Sequence, residues 1–181
     1  MDYNKEKFMA AAINEAKKAY SINEVPIACV LVKNGEIIAA AYNLKETYQD
    51  PTKHAEIEAI KIASEKLGTW RLEDVDCYVT LEPCHMCASA LQQARINTVY
   101  FAAIDTKTGA VVSVDNFFDR DFLNHKVEYQ AGLLEDESSS LLKQFFQDKR
   151  KRNKALEAEL GGRSQRKQMR KNSIDPESID K

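Results

Sequence analysis

Two short motifs, His54-Ala55-Glu56 and Pro83-Cys84-His85-Met86-Cys87, constrain the fold more than any other feature of the chain, because their side chains must converge to be of use. Cysteines three apart at a helix start can direct both thiolates at one ion, and the helix dipole with its free N–H groups favours their anionic form. A histidine from a neighbouring helix start supplies a third ligand. Three protein ligands leave the fourth tetrahedral position to water, which separates a catalytic zinc site from a closed structural one. Zinc lowers the pKa of its water to about 7. Glu56, two residues beyond His54, stands where it can carry the protons such chemistry moves. A Cys-x-x-Cys pair alone reads equally as two buried or redox-active cysteines. The histidine, the glutamate and Pro83 together favour the metal.

The surrounding periodicity supplies the frame. From about Lys5 to Tyr20, Phe8, Ala11, Ala12, Ala16 and Ala19 recur at helical spacing. Asn34-Gly35 between the apolar runs Pro26–Lys33 and Glu36–Tyr42 predicts a hairpin, since both turn residues need positive φ. After a loop from Asn43 to Lys53, the segment His54 to Leu67 reads as a helix with Ile57, Ile60 and Leu67 on its apolar side, Thr52 as a cap and Gly68 as a stop. Strand Cys77–Leu81 leads into a helix from Cys84 to Ala94, with Pro83 suited to its first turn. Strands at Thr98–Ala102 and Val127–Gln130 follow, separated by enough chain for a parallel crossover. A last helix, Leu133 to Arg152, carries Leu134, Leu141, Leu142, Phe145 and Phe146. The expected fold is α/β: three layers, α/β/α, with a central mixed sheet of about five strands. One domain is expected over residues 1–155, and residues 156–181 are expected to form a basic, disordered tail.

Composition narrows the setting. Among 181 residues, 44% hydrophobic with 30% charged excludes a wholly disordered chain. The first twenty residues lack the apolar core of a secretory signal, and no run approaches the ~18–20 apolar residues of a membrane span. A cytoplasmic protein with no membrane partner is expected. In that reducing setting Cys29 and Cys77, in or beside strands, read as buried free thiols rather than a disulfide. Net charge is only −2, yet Lys149 to Lys171 holds ten Lys and Arg against two Glu, so attraction to polyanions is concentrated at the C-terminus. Lys149-Arg-Lys-Arg152 reads either as a solvated helix end or as a phosphate contact.

H-x-E with P-C-x-x-C is the signature of zinc nucleobase deaminases. Around it lie Glu24-Val-Pro-Ile, Asp50-Pro-Thr-Lys-His-Ala-Glu-Ile, Tyr78-Val-Thr-Leu-Glu-Pro-Cys, Arg95-Ile, Asp105-Thr-Lys-Thr-Gly-Ala, Asn124-His-Lys-Val-Glu and Leu141-Leu-Lys-Gln-Phe-Phe. With these stretches the chain resembles the bacterial tRNA-specific adenosine deaminase family over nearly all of residues 1–150. The resemblance implies a cytidine deaminase-like fold and one Zn2+ per subunit on His54, Cys84 and Cys87. It implies hydrolytic attack on C6 of adenosine at wobble position 34 of a tRNA anticodon, leaving inosine and ammonia. Glu56 would pass the water proton to a ring nitrogen and then protonate the leaving amine.

For the substrate, the resemblance implies contacts from Asn43, Ala55, Asp105, Lys107 and Phe145. Several have plain alternatives: Asn43 as a loop cap, Asp105 and Lys107 as a solvated turn, Phe145 and Phe146 as core rings with only one stacking on a base. The implied partners are a tRNA anticodon stem-loop and a second copy of the chain. Ala28 stands where the family commonly has Gly, Ile104 where it often has Arg, and His85 fills the slot between the cysteines without being expected as a ligand. His125, isolated before a strand, reads as structural. Two other readings are a deaminase of free nucleobases or nucleosides, of guanine or cytosine type, and a noncatalytic zinc-containing RNA-binding subunit. Glu56 and the Asp105–Ala110 loop weigh against them.

Overall fold

Asn34 and Gly35 both adopt left-handed backbone, at φ 52° and 77°, and turn β1 (Ala28–Lys33) into antiparallel β2 (Glu36–Tyr42). In the computed structural model, which describes residues 5–160, β1 also pairs antiparallel with β3 (Val75–Leu81). Beyond it β4 (Thr98–Ala103) and β5 (Glu128–Ala131) run parallel to β3, giving the order β2-β1-β3-β4-β5. The mixed five-stranded sheet is as expected.

The helices are α1 (Lys5–Ser21), α2 (Lys45–Tyr48), α3 (Ala55–Leu67), α4 (His85–Gln93) and α5 (Glu135–Leu160), with a 3-10 turn at Phe117–Asp119. Strand periodicity sorts side chains between two cores. Cys29, Leu31, Cys77, Val79, Val99 and Phe101 point to the face that holds Ala59, Ala63, Ala88 and Leu91 of α3 and α4. Val30, Val32, Tyr78, Tyr100 and Ala102 point to the opposite face, against Phe8, Met9, Ala12 and Ile13 of α1, with Leu141 of α5 packed at its margin. Tyr78 and Tyr100 stack there with ring centroids 4.7 Å apart. Strands buried on both sides explain why β1, β3 and β4 read as apolar runs.

Several local expectations need correction. The buried side of α3 is Ala55, Glu56, Ala59 and Ala63 rather than an isoleucine stripe; Ile60 only borders the core, and Leu67 is exposed. Small residues let this helix lie close to the sheet. Thr52 does not cap it: its N–H and hydroxyl go to Asp50, and His54, with extended backbone, is the N-cap. Gly68 ends the helix as expected, at φ 66°. Pro83 lies before the α4 N-cap, Cys84, and not in its first turn. Leu133 and Leu134 precede α5, Leu134 at φ 56°, and the helix begins on Glu135-Asp136-Glu137, acidic residues that favour a helix N-terminus.

Residues up to Leu142 form one compact unit and those from Lys143 a second, and α5 runs unbroken to Leu160. The expected tail therefore starts as helix through Ala155-Leu-Glu-Ala158, all strong helix formers. Its remainder, from residue 161, lies outside the described residues. In the second unit Phe145 and Phe146 meet edge-on at 5.4 Å, and Lys149 lies over the Phe145 ring. No helix among the described residues is long and apolar enough to cross a membrane.

Phe101, fully buried at the middle of β4, anchors the core behind α3 and α4. Phe101→Ala is expected to cost about 3–5 kcal/mol, read as a lower midpoint in chemical denaturation.

Candidate active site

Strand direction decides where the site forms. β2, β3 and β4 all end at one edge of the sheet, where β1 begins: Tyr42 pairs with Ala28, and Leu81 with Ala103. The chain leaves this edge through Asn43, Glu82 and Ile104, and α3 and α4 start there. The carboxyl ends of strands in α/β sheets are the usual place for ligands.

His54 and Cys84 are the N-cap residues of α3 and α4. His54 Nδ1 lies 3.8 Å from Cys84 Sγ and 3.5 Å from Cys87 Sγ, and the three ligand atoms all fall within 4.8 Å of one another. A tetrahedral zinc, with bonds of about 2.0–2.1 Å to nitrogen and 2.3 Å to sulfur, would hold the nitrogen roughly 3.5–3.6 Å from each sulfur and the sulfurs about 3.8 Å apart. The residues fit the ion in donor type and in spacing. Cys84 is pushed down to about 4 by the hydrogen bond from Cys87 and by the imidazole of His54, while Cys87 is raised by its bond to Cys84 and by burial. His85, between the two cysteines, turns away to Asp115, 3.0 Å distant, and His125 Nε2–H donates to the carbonyl of Ile96.

Glu56 is buried in the first turn of α3, and its carboxyl is raised above the ordinary range by desolvation, reinforced by the charge of Cys84. It opens with His54 and Cys84 onto a pocket also lined by Ile27, Asn43 and Asp105. Ala55 is a buried part of the same wall.

Two walls of the pocket hang on buried carboxylates whose roles the sequence did not reveal, although Glu24 and Glu82 both lie in stretches singled out above. Glu82 Oε1 accepts from the N–H groups of Val111, Val112 and Ser113 at 2.8–3.0 Å, and Oε2 accepts from Asp105 N–H and the Ser113 hydroxyl. Burial opposes ionisation of Glu82, but these donors outweigh it and hold the carboxyl below its ordinary range. Ala110 N–H donates to Pro83, and Gly109 bridges to Cys84. The 105–113 loop is therefore fastened to the start of α4 on both sides. Its donors lie 23 to 31 residues from Glu82, so no local signal announces them. On the opposite wall, Asn43 Nδ2 donates to Glu24.

Asp105 faces inward to its own turn, accepting from Lys107 N–H, Thr108 N–H and the Thr108 hydroxyl. Burial opposes its ionisation, yet these bonds lower its pKa. Lys107 is exposed beside it. Phe145 is buried, so within the aromatic pair the exposed ring is Phe146. Cys29 and Cys77 are buried free thiols with sulfurs 3.5 Å apart, as expected.

Residues 2–103 match the family model described as the cytidine and deoxycytidylate deaminase zinc-binding region. The tRNA-specific adenosine deaminase of Bacillus subtilis is 48% identical over 155 residues, covering 86% of this chain and 96% of the relative. That of Aquifex aeolicus is 50% identical over 142 residues, covering 78% and 93%. A solved structure from a study of A-to-I editing by tRNA:A34 deaminases at the wobble position superposes with a TM-score of 0.73 at 46% identity, covering 75% of this chain and 99% of that one.

A Cβ on Gly109 would lie 2.3 Å from the Glu82 carboxyl carbon and 2.6 Å from the Asp105 carbonyl. Gly109→Ala is expected to displace the loop at a cost of about 1–3 kcal/mol while leaving the metal in place, measured by thermal denaturation beside zinc content.

Proposed function

Because the chain belongs to the tRNA-specific adenosine deaminases of the cytidine and deoxycytidylate deaminase zinc-binding family, we propose that it hydrolyses adenosine to inosine at wobble position 34 of a tRNA anticodon. The observation that carries the reading is a pocket lined by His54, Cys84 and the buried carboxyl of Glu56, with Cys87 completing a three-ligand zinc set beside it. His54, Cys84 and Cys87 hold one zinc ion per chain. Bound there, zinc supplies Lewis acidity that draws the pKa of water toward about 7.

Glu56 takes the proton from the attacking water and delivers it to the purine nitrogen beside C6. It later protonates the departing amine, so that adenosine and water become inosine and ammonia. Burial raises this carboxyl, which favours its protonated form between the two transfers. Asn43 and the Ala55 wall hold the base, and the 105–113 loop closes its side.

An anticodon loop presents unstacked bases, so moving one into the pocket costs little beside extrusion from a duplex. Lys107 and the run Lys149 to Arg152 supply cations for the phosphate backbone. Asp105, occupied by its own turn, shapes the loop that carries Lys107. Phe146 takes the stacking role in place of the buried Phe145. The protein works in the cytoplasm as a homodimer, a state that light scattering on a size-exclusion column tests.

The substrate is tested by offering a synthetic anticodon stem-loop, free adenosine, guanine and cytidine in parallel and following each by mass. A gain of one mass unit in the stem-loop alone is expected; conversion of guanine alone would sink the reading. Glu56→Gln is expected to keep its zinc and lose about 10²–10⁴-fold in turnover, read by metal analysis alongside single-turnover kinetics.

A further inference from the structure

Glu24 is fully buried, outside the metal cluster, and belongs to none of the steps above. Its carboxylate receives two donors. Oε1 accepts the N–H of Thr47 at 2.5 Å, and Oε2 accepts Nδ2 of Asn43 at 2.9 Å. The first bond explains α2, a four-residue helix that sequence periodicity did not reveal. Its N-cap, Leu44, has no side-chain bond to offer, and Glu24 accepts a first-turn N–H in its place.

The second bond has a functional consequence. A side-chain amide has a donor end and an acceptor end that are nearly identical in shape. A carboxylate has no hydrogen to give, so Glu24 draws the amide nitrogen of Asn43 toward itself. The Asn43 carbonyl oxygen accepts no hydrogen bond from the described residues, and none of their buried side-chain oxygens or nitrogens lacks a partner. That oxygen is therefore accessible, on a residue that is 6% exposed and lines the pocket.

We propose that Glu24 is a positioning residue that fixes the Asn43 amide so that the pocket is offered its carbonyl oxygen, an acceptor for an N–H or O–H of the bound nucleotide. The inference rests on the reading of this pocket as a nucleoside site and adds the polarity of one wall to it. Glu24 touches no substrate; it acts through Asn43.

Glu24→Gln provides the test because it keeps the shape and changes the hydrogen-bond logic. The Thr47 N–H still needs an acceptor and holds the new amide oxygen, so the new NH2 faces Asn43. Asn43 must then turn its oxygen inward and present its own NH2 to the substrate. Asn43→Asp alone sets two carboxylates against each other with no donor between them. The double variant, Glu24→Gln with Asn43→Asp, restores every bond: the NH2 introduced at position 24 donates to one oxygen of the carboxylate introduced at position 43, and the other oxygen faces the pocket.

On the stem-loop substrate, Glu24→Gln is expected to raise KM roughly ten- to hundredfold, with kcat per zinc-loaded chain nearly unchanged. The double variant should recover most of that loss. A merely structural role would lower the active fraction, and hence apparent kcat, at constant KM. An unchanged KM in Glu24→Gln, or a double variant no better than Glu24→Gln, overturns the inference. Should Glu24→Gln fail to fold, the same question is put to Asn43→Asp, whose KM must fall when Glu24→Gln is added; no fall overturns the inference equally. Wild-type protein inert on the stem-loop would instead overturn the substrate reading, and this inference with it.

Discussion

The parallel register of β3 and β4 decides where everything else in the pocket can stand. Pairing Leu81 with Ala103 brings the chain out of both strands side by side. The start of α4, with Cys84 and Cys87, then lies next to the loop that begins at Asp105. An antiparallel β4 would have sent that loop to the far edge of the sheet. β1, running against β3, brings the end of β2 to the same edge and so delivers Asn43 and the start of α3. Two helix N-termini then meet, and with them a histidine, two sulfurs and the kind of backbone group, the unsatisfied N–H, that favours anionic ligands.

Three buried glutamates border or support this edge, and their surroundings give them different work. Glu82 is surrounded by N–H donors and Glu24 accepts two, whereas Glu56 is buried with a lowered-pKa thiol nearby. Folding lowers the pKa of Glu82, against its burial, so its stabilising contribution is present above the ordinary carboxylate range and is lost as pH falls through the lowered value. Glu56 moves the opposite way, its protonated form favoured by desolvation. The same residue type is thus held in opposite electrostatic settings within one site.

What could be read from the sequence follows the range of the interaction concerned. The Asn34-Gly35 turn, the Gly68 stop and the helix-start motifs at His54 and Cys84 depend on neighbours within a few residues, and all were legible. The alanine face of α3 was not, because period alone favoured its larger Ile57, Ile60 and Leu67, whereas close approach to the sheet favours small residues. Thr52 was a sound local cap candidate that lost to Asp50 two residues before it. α2 and the 105–113 loop are held by Glu24 and Glu82, partners more than twenty residues away, which no window of sequence displays.

The burial of the reacting centre connects the chemistry to the kind of substrate. Glu56 is buried and lines a pocket with Ile27, Asn43 and Asp105. A structured RNA can be processed there only if one nucleotide leaves its neighbours and enters alone. The walls that receive it are fastened from outside the reacting centre, by Glu82 on the loop side and Glu24 on the Asn43 side, so their geometry is set before the base arrives. Selection of an unpaired loop follows from energetics: the nucleotide that is cheapest to displace is the one that enters most readily.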